Sequence, residues 1–461
     1  MSVLLSYSAA TTPEAVSTAR LVDTALNERV LVLGPFPPEG RDLDLVTRAR
    51  SRSTIVAALE REGFVPRGPQ LSPPRRWVGQ WVRFGQGTAF AVDIHAADRW
   101  GIPGGEVAAL FADALPIEGM SHLVRCAPHH VLLLAARRHV RRHGELAPKH
   151  RARIEQALAE DPAAWTTARA HAERWGLAAA LSLLQAALNN GTAPDRRERA
   201  RAQTEMVAAG GIRWRAKWVT RHAKAAVRRR PSVVALSGLD GAGKSSQATA
   251  LKETLDKLGV DCVIEWMPLG HSPRNPTLHR IRRSANGALV LARNVGRGGR
   301  RPSRDGEVVP AQSNPARSLR QRSELVTQSW ATIVALMQAT QHRRAVRRHR
   351  GTGRIVIFDR YALDSVAQLR FFYGSRHRFP IQKWLIKAIS PTPRICYLLD
   401  VPPETLMRRK ELQYTIDEVR EQTSLYREEL AGLGVRRLDG ERPRTDISDE
   451  IATAVWRVVG R

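Results

Sequence analysis

Residues Gly238-Leu239-Asp240-Gly241-Ala242-Gly243-Lys244-Ser245 carry the strongest signal in this chain. They fit the pattern G-x-x-x-x-G-K-[ST] of a phosphate-binding loop. Before them, Val233-Val234-Ala235-Leu236 reads as a buried strand. After them, Ser246 to Leu258 reads as a helix, with Ala248, Leu251 and Leu255 at helical spacing. Glycines let consecutive backbone N–H groups converge on phosphate oxygens, and a helix start adds a favourable dipole. Nucleoside triphosphate binding is therefore assigned to Gly238, Gly241, Ala242, Gly243, Lys244, Ser245 and Ser246. Lys244 would reach the β- and γ-phosphates of ATP, and the Ser245 hydroxyl would hold Mg²⁺.

On either side of the loop, strand-like runs recur at Val233–Ser237, Asp261–Trp266, Arg354–Phe358, Ile395–Asp400 and Val435–Leu438. Helical stretches such as Ser323 to Arg348 and Glu404 to Glu429 separate most of them. Strands alternating with helices predict a parallel sheet covered by helices on both faces. The run Arg354–Phe358 ends in Asp359-Arg360-Tyr361. Ligand chemistry gathers at the carboxyl ends of parallel strands. Asp359 is thus placed to bind Mg²⁺ and Arg360 to neutralise phosphoryl charge.

At 461 residues the chain is too long for one ordinary core. It divides into residues 1–205, a basic connector at 206–230, and residues 231–461, with 275–318 a Gly-, Pro-, Ser- and Arg-rich flexible insertion. Cys126, Cys262 and Cys396 match no disulfide or metal spacing, which fits a reduced, cytoplasmic compartment. No signal peptide is expected, and Trp175 to Leu188 is too short to span a bilayer.

The formal net charge is +29, yet only nine of the 73 basic residues are lysines, a habit that coding bias also produces. Two stretches are one-sided. Gly211 to Arg230 interleaves Trp214 and Trp218 with basic residues and has no acid; His271 to Arg304 holds nine arginines and no acid. Nucleic acid or an anionic surface could meet 211–230. A solvated linker is the favoured reading.

Five motifs in order make residues 231–461 similar to the thymidylate kinase-like family. They are the glycine loop with its Asp240, Asp359-Arg360-Tyr361, Tyr397-Leu398-Leu399-Asp400-Val401-Pro402-Pro403-Glu404, the basic Arg408-Arg409-Lys410, and Leu438-Asp439-Gly440. The resemblance implies a P-loop kinase fold. It also implies phosphoryl transfer from Mg²⁺-ATP to a nucleoside monophosphate or a similar small anionic acceptor. Lys244, Arg360, Arg408 and Arg409 would be catalytic, and Asp240 and Tyr361 would contact the acceptor. The departures concern that acceptor. Ile264 to Gly270 replaces the family's Arg-Glu-Pro-Gly-type segment, Met337 to His342 lacks its Arg, and Ala362-Leu363-Asp364-Ser365 replaces its serine-rich continuation.

In the first half, Asp42 and Asp44 alternate with Leu43 and Leu45, which places both carboxylates on one strand face. Asp93 lies in a second apolar strand, Ala89 to His95. Three convergent acids can hold two Mg²⁺ ions. The arrangement resembles the polymerase-beta-type nucleotidyltransferase family, which implies an α+β domain with a helical extension. Helices are expected over Val131 to His143 and Trp165 to Leu188, with a turn at Arg174-Trp175-Gly176. Gly34-Pro35 is followed by a proline-rich connection where that family has a helix. His139 and His143, among arginines, read as a solvated face.

The expected protein is therefore an α/β phosphotransferase with a homodimer as an open assembly. Its rivals are a nucleotidyltransferase with an accessory P-loop half, and an ATP-switched binding protein.

Overall fold

The computed structural model describes residues 11–34, 42–48, 51–68, 79–141, 146, 148–191, 193–210, 231–267, 324–374, 379–409 and 414–458. The basic stretches 211–230 and 271–304, the insertion 275–318, His143 and Lys410 lie outside them. The residues group into two compact units, Met1–Arg228 with Trp456–Arg461, and Arg229–Val455. Among the described residues no helix is long and apolar enough to cross a membrane.

The first unit opens with α1 (Thr11–Ala25), β1 (Val30–Leu33), β2 (Asp42–Thr47), α2 (Ser51–Arg61), β3 (Val65–Pro66), β4 (Gly79–Gly85) and β5 (Thr88–Ala96). It continues through α3 (Gly104–Ala112), β6 (Leu115–Pro116), β7 (Leu123–Arg125) and five helices: α4 (Pro128–Arg141), α5 (Pro148–Glu160), α6 (Ala164–Trp175), α7 (Ala178–Asn190) and α8 (Arg196–Ala209). Its seven strands form a mixed sheet in the order β3-β4-β5-β2-β1-β7-β6.

Period-two alternation sorts the side chains of this sheet. Val30, Val32, Leu43, Leu45, Val92 and Ile94 pack with α1 and α2 residues such as Val22 and Ile55. Leu31 and Val46 join the second core, built with α4, α6, α7 and α8. Asp23 ties α1 to the sheet, because its carboxylate accepts the backbone N–H groups of Ser121, His122 and Leu123 at 2.6–2.8 Å. Burial disfavours its charge, but these three donors outweigh that and hold its pKa below the ordinary value.

The helical stretch expected over Trp165 to Leu188, with its turn at Arg174-Trp175-Gly176, is α6 and α7, and Gly176 between them sits at φ 64°. A Cβ there would lie 2.5 Å from Ala209 Cβ and 2.9 Å from the Glu205 carbonyl, so glycine is required twice over. The solvated face expected at His139 is corrected. Its ring is 1% exposed, on the same side of α4 as the buried Leu132, Ala136 and Val140.

The second unit runs β8 (Ser232–Ser237), α9 (Lys244–Lys257), β9 (Cys262–Trp266), α10 (Glu324–Arg348), β10 (Ile355–Asp359), α11 (Ala362–Tyr373), α12 (Pro380–Ile389), β11 (Ile395–Asp400), α13 (Pro403–Arg409), α14 (Ile416–Leu433), β12 (Arg436–Asp439) and α15 (Arg444–Val458). Its five strands are all parallel, in the order β12-β11-β8-β10-β9, and helices flank the sheet. The buried runs in β8, β10 and β11 are continuous rather than alternating, as central strands covered on both sides require. Val233, Ala235, Val356 and Phe358 pack with Ala345 and Val346 of α10.

One helix expected over Glu404 to Glu429 is instead α13 and α14. Thr415 starts the second with a capping box, its hydroxyl accepting the Glu418 N–H while the Glu418 carboxylate accepts the Thr415 N–H. All three cysteines are buried and outside any disulfide. Burial pushes the thiols of Cys126 and Cys396 up to about 12.

Candidate active site

The strand order turns outward in both directions from β8, so the switch point falls at the carboxyl ends of β8 and β10. The two strands are neighbours in parallel register, with Asp359 opposite Leu236. The glycine loop and Asp359-Arg360 therefore leave the sheet side by side. On its other side the loop passes close to β11: Gly238 sits at φ 144°, and a Cβ on it would lie 2.8 Å from the Leu399 carbonyl. Gly241 and Gly243 also have positive φ, and Gly243 caps α9.

Lys244 is 5% exposed, and its ammonium donates to the Leu239 carbonyl of its own loop at 2.7 Å. Burial, with Arg360 beside it, pushes its pKa down to about 8. Ser245 Oγ donates to Asp359 Oδ2 at 2.5 Å. The other carboxylate oxygen, Oδ1, is buried and has no hydrogen-bond partner among the described residues. A hydroxyl and a carboxylate with a spare buried oxygen make a donor set for a hard cation such as Mg²⁺.

Arg360 takes φ 78°, a left-handed conformation that costs a residue with a side chain about 1–3 kcal/mol. Its N–H donates to the Leu236 carbonyl at 2.9 Å, and its guanidinium pairs with Asp240. Burial would lower its pKa, yet Asp364, Asp240 and Asp359 surround it and raise it. Cationic side chains thus converge on the loop from two strands.

Asp364, in sequence no more than a departure from the family's serine-rich continuation, is the missed residue of this site. It is 1% exposed and organises the loop from below. Its Oδ1 accepts the Gly238 N–H at 3.2 Å and the Tyr426 hydroxyl at 3.0 Å, while Oδ2 accepts the Tyr361 N–H at 2.8 Å. An acid three residues into a helix, after a strand end, was the available signal.

Tyr361 does not sit where an acceptor contact was expected. Its ring is 1% exposed, packed against His342 and Phe358, and its hydroxyl donates to the Pro391 carbonyl at 2.5 Å. Asp240 is exposed and engaged by Arg360. Arg408 and Arg409 are exposed at the end of α13. They donate to Thr405 Oγ1 and to the Gly440 carbonyl, each at 3.0 Å, and not to the glycine loop.

In the first unit, β2 and β5 pair in parallel with Asp44 opposite Asp93. Both carboxylates lie on the sheet face away from α1 and α2. The third member of the group is His95 rather than the expected Asp42. One donor atom each from Asp44, Asp93 and His95 lie within 4.8 Å of one another, and His95 Nε2 is 3.5 Å from Asp44 Oδ1. Asp42 stands opposite Ala91, two pairs further along, and is exposed. The register of two parallel strands chooses which acids meet. Sequence spacing within one strand does not.

A scan of known protein-family models finds no match to this chain, and a search of curated proteins finds no relative.

Proposed function

We propose that the second unit is a Mg²⁺- and ATP-dependent phosphotransferase acting on a nucleoside monophosphate or a similar small anionic acceptor. One observation carries the reading: the Ser245–Asp359 hydrogen bond at the foot of the glycine loop, with the spare Asp359 oxygen buried beside Lys244 and Arg360. The resemblance to the thymidylate kinase-like family supports it.

On this reading the loop N–H groups from Gly241 to Ser246 cradle the triphosphate, and Lys244 exchanges the Leu239 carbonyl for phosphate oxygens. Ser245 and Asp359 are the residues that would hold Mg²⁺, which supplies charge neutralisation at the β- and γ-oxygens. Arg360 is preset beside the loop, where charge develops on the transferring group. Arg408 and Arg409 reach that group only if α13 moves, as a closing lid would. Of the two acceptor contacts that the resemblance implies, Tyr361 is buried and Asp240 is exposed beside Arg360.

The test is ADP formation from Mg²⁺-ATP against a panel of nucleoside monophosphates, with Lys244→Ala as control. Stimulation by one nucleotide, lost in the control, is the expected result. Turnover indifferent to every nucleotide would defeat the nucleotide-kinase reading.

A second reading has its own observation, the register pair Asp44 and Asp93 joined by His95. It makes the first unit a metal-dependent nucleotidyltransferase. Nucleotidyl transfer lost in Asp44→Asn and retained in Lys244→Ala would favour it.

A further inference from the structure

Four side chains far from the carboxylate strands in sequence meet in the helical part of the first unit. Asp113 caps the C-terminus of α3, His129 and His130 stand in the first turn of α4, and His171 lies in the last turns of α6. One donor atom from each falls within 4.8 Å of all the others. The imidazoles crowd together, with centroids of His129 and His130 at 4.1 Å and each at 5.4 Å from His171.

Hydrogen bonding accounts for part of this cluster only. His129 Nε2 lies 3.3 Å from Asp113 Oδ2. His171 Nδ1 lies 2.7 Å from Glu106 Oε2 and 3.1 Å from the Arg174 guanidinium. His130 is different. Its ring is 0% exposed, stacked on Trp175, and neither ring nitrogen has a hydrogen-bond partner among the described residues. One of those nitrogens must be a lone pair, aimed into a buried site that offers it nothing.

We propose that Asp113, His129, His130 and His171 form a closed, four-ligand site for a divalent transition metal, Zn²⁺ in the first instance. Three imidazoles and one carboxylate match that ion's preference for nitrogen-rich tetrahedral sites, whereas Mg²⁺ and Ca²⁺ take oxygen sets. Zinc bonds of about 2.0–2.1 Å place tetrahedral donors about 3.3 Å apart, so donors within 4.8 Å of one another need close by no more than about 1.5 Å. The outer shell is already built. Glu106 is 8% exposed and binds His171, Arg174 and Trp175, the carboxylate–histidine pairing that orients metal ligands.

Four protein ligands leave no open position, which is the signature of a structural rather than a catalytic metal. The ion would fasten the end of α3, the start of α4 and α6 to one point. It is distinct from the Asp44, Asp93 and His95 group, with which it shares no residue.

The test uses the untagged full chain, stripped with a chelator and titrated with Zn²⁺ against a chromophoric competitor. Asp44→Asn/Asp93→Asn serves as background, so that the strand carboxylates do not contribute. The expected result is one Zn²⁺ per chain, with affinity reduced at least about tenfold by adding either His130→Gln or Asp113→Asn. Co²⁺ should give the visible bands of a tetrahedral site in the background protein and lose them in either variant. Absence of tight Zn²⁺ binding in the background protein overturns the proposal. So does binding that neither substitution weakens. Asp113 is exposed, so Asp113→Asn decides between the outcomes if His130→Gln fails to fold.

Discussion

The glycine loop and the β2–β5 carboxylate pair are both built at parallel strand neighbours, yet they are finished differently. Around the loop, every key group is held by something buried. Asp364 fixes the Gly238 N–H, the Leu236 carbonyl fixes Arg360, and Leu239 holds Lys244. Asp44, Asp93 and His95 are instead half-buried, and register brings the two acids together. A site whose geometry rests on buried partners is rigid before any ligand arrives, which is what charge stabilisation in phosphoryl transfer needs. A site at the sheet face depends more on what binds there to order it. Having the right acids and having them preorganised are therefore separate properties of a site.

The largest effect should come from Lys244→Ala. ADP formation should fall by about a hundredfold or more, on the scale of losing a preorganised charge, while Asp44→Asn leaves it within about twofold. A coupled assay on both variants checks this. Equal losses in the two would erase the contrast between the sites.

Asp364→Ala should come next. It strands the Gly238 and Tyr361 N–H groups and the Tyr426 hydroxyl in a dry interior, at about 3–5 kcal/mol. Denaturant unfolding should show the loss, and ATP affinity should fall with it. An Asp364→Ala chain of ordinary stability would mean that the loop is not held from below.

The first unit has a comparable buried anchor in Asp23. Asp23→Asn should cost about 1–3 kcal/mol at neutral pH. The wild-type carboxylate has a depressed pKa, so its stabilisation is full above the unfolded value near 4 and disappears as pH falls through the lower folded value. Melting curves of wild type and variant should therefore converge in strong acid. A gap that persists there would assign the effect to packing.

The smallest stability effect belongs to Arg409→Ala. The side chain is exposed, so unfolding should shift by less than about 0.5 kcal/mol. Turnover should still fall by about tenfold if α13 closes over the transferring group, less than for a residue already in place.

Much of the second unit was legible because its signals are local. A glycine loop between a strand and a helix, and a strand ending in Asp-Arg-Tyr, need no knowledge of distant residues. What escaped was set by tertiary geometry. Tyr361 follows the motif yet turns into the core toward Pro391, since its neighbour Arg360 takes the left-handed conformation and redirects the chain. Strand register pairs Asp44 with Asp93, and His95 of β5 joins them where Asp42 was expected. His129, His130 and His171 converge only through the packing of α4 on α6, and 41 positions of sequence hide it. His139 was legible in part. Its spacing from Ala136 marks the buried face, but the surrounding arginines drew the reading toward solvent.

The three sealed cysteines have a practical consequence. With Cys126, Cys262 and Cys396 all inside, and two of them held as thiols by burial, the native chain is nearly silent to alkylating reagents. A single cysteine introduced as Arg409→Cys would carry a fluorophore alone. Its emission would then follow the end of α13 in real time, reporting each opening and closing without further engineering of the chain.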